Sequence, residues 1–125
     1  MSYTILYIED NPDNRQLVKR AVEAKGYLFV AAATGQEGLE MAENLRPEVI
    51  LLDINLPDID GYEVARRMRS GRVKHLLFVP IVAITANALK GDAEKALEAG
   101  CDVYLAKPIN IRELWARLEA LLPQG

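Results

Sequence analysis

The chain is 125 residues long, enough for one compact domain with a true core. Half of it is apolar and its formal net charge is −3, which argues against a nucleic-acid face; no run approaches the ~20 apolar residues of a membrane span. Met1 to Thr4 lacks the basic and apolar regions of a signal peptide, and the single Cys101 cannot form an internal disulfide, so a reducing cytoplasm is the expected compartment.

Strand-like and helix-like stretches alternate from the start. Ile5 to Ile8 is an apolar run that stops at Glu9-Asp10. A helix is expected after Asp13 as N-cap, with Leu17, Val18, Ala21 and Val22 at helical spacing and Gly26 as its stop. Tyr27 to Ala32 is a second strand, and Gly35 to Leu45 a second helix with Leu39 and Ala42 inward. Val49 to Leu52 leads into Asp53, and Leu56-Pro57-Asp58-Ile59-Asp60-Gly61 carries turn signals. Tyr62 to Met68 is a third helix. Pro80 to Thr85 is a strand, Lys90 to Ala99 a helix stopped by Gly100, and Asp102 to Ala106 the last strand, ending at Lys107. Asn110 is placed to cap a final helix whose stripe is Ile111, Leu114, Trp115, Leu118, Leu121 and Leu122. Arg66, Arg67, Arg69, Arg72 and Lys74 are expected on a solvated surface, and so is His75; Cys101 is expected to pack quietly near a strand start.

Five βα units without a composition break predict an α/β fold. Near-continuous apolar strands indicate burial on both faces. Right-handed crossovers then give a flavodoxin-like three-layer sandwich, with a five-stranded parallel sheet of order 2-1-3-4-5 and five helices. In such sheets ligands bind beyond the strand carboxyl ends, where the winding reverses. That point lies between the strand ending at Glu9-Asp10 and the strand ending at Asp53.

Glu9, Asp10 and Asp53 together would repel in a partly dry cleft unless a proton or a cation neutralised them. Hard oxygen donors suit magnesium. Asp10 and Asp53 are expected as direct ligands, Glu9 as a ligand or water-mediated support, and the Asn55 backbone carbonyl as a further oxygen. Lys107 can pair with Asp53 at rest and with phosphoryl oxygens afterwards. Thr85 supplies a hydroxyl, and Ala86 beside it leaves room. Asp53 is the natural nucleophile for a phosphoryl group.

Glu9-Asp10, Asp53 with Pro57 and Gly61, Thr85-Ala86, Tyr104 and Lys107-Pro108 span essentially the whole chain. On these residues the chain resembles the response-regulator receiver domains of two-component signalling, both single-domain chemotaxis-type regulators and receivers of hybrid kinases. The resemblance implies one receiver domain over residues 1–125. It implies that Asp53 accepts phosphate from a phosphohistidine of a sensor histidine kinase or histidine phosphotransfer protein, with Mg2+ held by Glu9 and Asp10. It also implies a cis peptide at Lys107-Pro108, a switch formed by Thr85 and Tyr104, hydrolysis tuned by Asn55 and Asn87, and kinase docking near Asn14 and Leu17. Output would pass to a downstream protein target. A flavin carrier would want a hydroxyl- and glycine-rich phosphate loop where Glu9 to Asp13 stands. An aspartate-nucleophile phosphatase would want an acid where Asn55 stands. A receiver that docks without phosphate would not need the complete acid, threonine and lysine set.

Overall fold

The computed structural model describes residues 2–86 and 91–123. Its strands are β1 (Thr4–Ile8), β2 (Leu28–Ala32), β3 (Val49–Asp53), β4 (Ile81–Thr85) and β5 (Val103–Ala106). They form one parallel sheet in the order β2-β1-β3-β4-β5. The helices are α1 (Pro12–Ala24), α2 (Gly35–Leu45), α3 (Gly61–Met68), α4 (Asp92–Ala99) and α5 (Ile111–Leu121), with a 3-10 turn at Lys74–Leu77.

Every residue of β3 and β4 is buried, as unbroken apolar runs require when both sheet faces are covered. Side-chain alternation divides the core into two layers. Leu6, Ile8, Ile50, Leu52, Ile81 and Ala83 face α2, α3 and α4 through Ala42, Val64, Met68 and Ala96. Ile5, Tyr7, Leu51, Val82 and Ile84 face α1 and α5 through Val18, Val22, Leu114 and Leu118. The winding reverses beside β1, and the β1 and β3 carboxyl ends lie together there because Ile8 pairs with Leu52.

Several boundaries differ from the sequence expectation. The N-cap of α1 is Asn11, not Asp13: its side chain accepts the Asn14 N–H at 3.0 Å. Pro12 is the reason, since the first helical position needs no N–H and suits the proline φ. Asp13 instead stands in the first turn, near the positive end of the helix. The second, fourth and fifth strands begin one residue later than expected, at Leu28, Ile81 and Val103. Asp102 is drawn out of β5 by other work: its Oδ2 accepts the Ile81 N–H and an Arg69 N–H, both at 2.9 Å. The described part of α4 begins at Asp92, and Lys90 lies outside the described residues.

Arg69 is not a solvated charge. Its guanidinium donates to the Gly100 carbonyl at 3.0 Å and the Leu76 carbonyl at 2.7 Å, besides Asp102. It thus ties α3 to the 3-10 turn and to the start of β5. His75 is likewise half-buried, with its Nε2 3.0 Å from the Ala42 carbonyl in α2. Trp115 packs on the inner stripe of α5 and donates its Nε1–H to Ala21 of α1 at 2.8 Å. Cys101 is buried, and burial pushes its thiol up to about 11, so it stays protonated and unreactive.

One glycine bears directly on the site. A Cβ on Gly61 would stand 2.5 Å from Ile54 Cα and 2.7 Å from the Asp53 carbonyl oxygen. Both are backbone atoms that cannot step aside. The absence of a side chain therefore lets α3 start against the end of β3.

Candidate functional site

Four strand ends deliver four groups to one edge. Glu9 follows β1, Asp53 closes β3, Thr85 closes β4 and Lys107 follows β5. Glu9, Asp53 and Thr85 are buried, whereas Asp10 is exposed. The Lys107 ammonium lies 3.0 Å from Glu9 Oε1 and 3.1 Å from Asp53 Oδ2, so it bridges both acids rather than Asp53 alone. The Lys107-Pro108 peptide is cis. Carboxylate oxygens of Glu9, Asp10 and Asp53 all lie within 4.8 Å of one another. The Asn55 N–H donates to Asp53 Oδ1 at 3.1 Å, tying the bend after β3 to the carboxylate itself.

One lysine cannot neutralise two buried acids, so a proton on the pair is favoured wherever no cation balances them. Burial and a hydrogen bond with Glu9 push the Asp53 carboxyl up to about 7. Burial alone would raise Glu9 as well. Hydrogen bonds from Asp53, Asn14 and Lys107 outweigh it and hold Glu9 down at about 2. Burial opposes the Lys107 charge, but Glu9 and Asp53 prevail and hold it above its ordinary value. The pair therefore shares a proton that a divalent cation can replace. Three carboxylates, one of them open to solvent, form a hard-oxygen donor set that suits such an ion.

This has a measurable consequence. Between the ordinary 3.8 and about 7, the folded chain keeps the Asp53 proton while the unfolded chain releases it. Stability from that group falls as pH rises through the window, by at most ~1.4 kcal/mol per unit. Glu9 runs the other way: its contribution is present above the ordinary 4.5 and is lost as pH falls towards 2. In chelator, the urea midpoint is expected to decline from pH 5 to pH 7.5. Divalent cation should restore more of it at the upper pH. A midpoint that does not change with pH or cation would contradict the shared proton.

The remaining expected residues are placed as follows. The Thr85 hydroxyl donates to Asp92 Oδ2 at 3.2 Å, at the first residue of α4. Tyr104 is about one-third exposed on the edge strand β5, and Leu17 is exposed on α1. The Asn14 amide turns inward and donates to Glu9 Oε1 at 2.8 Å. Asn87 lies outside the described residues.

Some contributors were not picked out from the sequence. Tyr7 donates its phenol to Glu9 Oε1 at 3.2 Å, and burial with the Glu9 charge keeps it protonated. Two-residue spacing puts Tyr7 and Glu9 on one side of a strand, a signal that was available. Arg15 donates to the Glu9 carbonyl at 2.7 Å. Asp58 accepts the Gly35 and Gln36 N–H groups at 2.8 and 3.0 Å, anchoring the β3–α3 loop to the start of α2. No local pattern announces that last contact, since its partners lie more than twenty residues away.

The family model for the response regulator receiver domain matches residues 5–119. This chain belongs to that family. As a receiver domain it is a phosphoacceptor of two-component signalling rather than a classical enzyme, and a histidine kinase is the partner that membership implies. It is 37% identical over 111 residues to the polar-differentiation response regulator DivK of Brucella anthropi, covering 89% of each chain. It is 39% identical to the receiver domain of sensor histidine kinase PA1611 from Pseudomonas aeruginosa PAO1, with a TM-score of 0.88 over 97% of this chain and 98% of that one. That crystal structure has a magnesium ion coordinated in the active site cleft. Chemotaxis response regulator CheY4 of Vibrio cholerae superimposes with a TM-score of 0.90 at 28% identity, covering 98% of this receiver and all (100%) of that chain. Among the described residues, no helix of the receiver is long and apolar enough to cross a membrane.

Proposed function

We propose that residues 1–125 form one receiver domain that takes a phosphoryl group from a phosphohistidine onto Asp53, in a magnesium-dependent step, and so switches a protein-binding surface. The donor is a sensor histidine kinase or a histidine phosphotransfer protein in the cytoplasm. The observation that carries this reading is the Lys107 ammonium bridging Glu9 and Asp53 beside exposed Asp10. Magnesium suits the three carboxylates and is present in the related PA1611 receiver; when bound, it supplies positive charge to the acids and the incoming phosphoryl oxygens. Glu9, Asp10, Asp53 and the Asn55 carbonyl are the oxygens that would hold it.

An Asp53 carboxylate oxygen forms the new bond to phosphorus as the bond to the histidine nitrogen breaks. The electron pair of that bond leaves on the imidazole. Asp53 must first lose its shared proton. Lys107, already 3.1 Å from Asp53 Oδ2, then follows the charge onto a phosphoryl oxygen. Thr85 exchanges Asp92 for the phosphoryl group as hydroxyl acceptor, a movement that reaches α4 directly. Tyr104 borders a groove of about 260 Å3 with Ala93, Leu97 and Arg117, where exposed Leu97 offers apolar area to a downstream protein. A partner that prefers one Tyr104 position gains affinity with phosphate and lengthens the phosphate's life in return. Asn55 and Asn87 are the residues that would tune hydrolysis of the phosphoryl group. On α1, exposed Leu17 is the apolar contact for a donor helix, with Asn14 beside it.

The test is direct. Incubation with Mg2+ and a small acyl phosphate should add the mass of one phosphate, and chelator should prevent it. No added mass with any donor in excess cation would overturn the reading.

A further inference from the structure

We infer that Tyr7 and Asn14 are positioning residues that commit one oxygen of Glu9 to the protein and leave the other for the cation. The inference rests on the magnesium-dependent reading and deepens it. Glu9 Oε1 receives three donors: the Asn14 amide at 2.8 Å, the Lys107 ammonium at 3.0 Å and the Tyr7 phenol at 3.2 Å. A carboxylate oxygen has about two lone-pair sites. Oε1 is therefore saturated, and a metal ion has no approach to it. Among the described residues Oε2 receives none of these three donors and meets the Asn11 N–H at a long 3.4 Å, so it is the oxygen left for the cation.

Glutamate needs this restraint. It has one more rotatable bond than aspartate, and each torsion left free must be frozen when a cation binds. Tyr7 is fully buried in β1, two residues before Glu9 and on the same side of the strand. Its phenol would be costly to leave unpaired there. Asn14 approaches from the first turn of α1, and Arg15 holds the Glu9 carbonyl from the same turn. Glu9 is thus fixed by its backbone and by one carboxylate oxygen at once. The two neutral donors also differ from Lys107 in one respect. Lys107 is shared with Asp53 and follows charge onto a phosphoryl group, whereas among the described residues Tyr7 and Asn14 each hydrogen-bond to Glu9 and to no other acid. They are the donors that keep Glu9 in place in both states.

Calorimetric Mg2+ titration of the full chain tests this. Asn14→Ala and Tyr7→Phe should each weaken Mg2+ binding about three- to tenfold, the worth of one ordered side chain. In a Glu9→Asp background, whose shorter side chain does not reach the two donors, the same changes should alter affinity less than about twofold. A purely structural role predicts equal losses in both backgrounds, together with a lower melting temperature of the metal-free protein, and would overturn the inference. So would unchanged affinity of Asn14→Ala in the Glu9 protein. Asn14 is partly exposed, so this variant decides the matter even if Tyr7→Phe does not fold. Absence of Mg2+ binding by the unaltered chain would instead remove the magnesium reading beneath it.

Discussion

Asp53→Asn should take up no phosphate from an acyl phosphate or a phosphohistidine donor, with Mg2+ present, while folding at least as well as the unaltered chain. The side-chain amide keeps the shape and one carbonyl oxygen but is no nucleophile. Loss should be complete within the sensitivity of intact-mass measurement. The stability expectation comes from the same geometry. Asp53 and Glu9 share a proton and one lysine in a buried pocket. With the amide in place, Lys107 neutralises Glu9 alone, so the chelated protein should no longer weaken between pH 5 and pH 7.5. A full mass shift in Asp53→Asn would reject Asp53 as the acceptor. An unchanged pH profile would reject the shared proton while leaving the acceptor assignment standing.

Lys107→Ala should separate binding of the cation from use of the phosphate. Removing a positive charge about 3 Å from two acids lets a divalent ion bind more tightly, since the two cations repel and neutralise the same acids. Phosphoryl uptake should nevertheless fall by roughly 10²–10³-fold, the usual cost of losing one preorganised charge from a transition-state site. Phosphate, once attached, should no longer change affinity for the downstream protein. In chelator at pH 8 the variant should also lose about 1–3 kcal/mol. That lies below the ~3–5 kcal/mol of a fully buried broken pair, because the lysine side chain is 22% exposed. Denaturant midpoints with and without Mg2+, beside a time course of phosphate uptake, check each part. Weaker cation binding, or unaltered uptake, would contradict the role given to Lys107.

Much of this molecule was legible before any coordinates. The strand runs are apolar and short, with glycine, proline and asparagine between them. Each strand ends two or three residues before the first such breaker. Asn110 caps α5 by accepting the Glu113 N–H at 3.1 Å, as a local asparagine signal implies. The start of α1 was misplaced because Asn11 and Asp13 are both good caps, and Pro12 between them settles the choice.

Errors and omissions share a cause. Arg69 looks like one of five surface cations along the chain, yet two of its acceptors are carbonyls of Leu76 and Gly100. Asp58 looks like a turn residue, yet it also caps α2. Carbonyl and amide groups are the same at every position, so no residue pattern marks which of them a distant side chain will meet. Asn14 shows the same limit: nothing local to it marks that its amide donates to Glu9.

Local composition was therefore enough to specify the order of strands and helices, their parallel winding, and which polar residues end up on one sheet edge. Those properties follow from period, breakers and chain chirality, which act over a few residues at a time. The charge state of that edge is another matter. Whether Lys107 serves one acid or two, where the shared proton rests, and which oxygen of Glu9 stays open all depend on separations of about 3 Å between residues up to 98 positions apart. Coulomb and hydrogen-bond energies change steeply over such distances, and only packing of the finished core sets them.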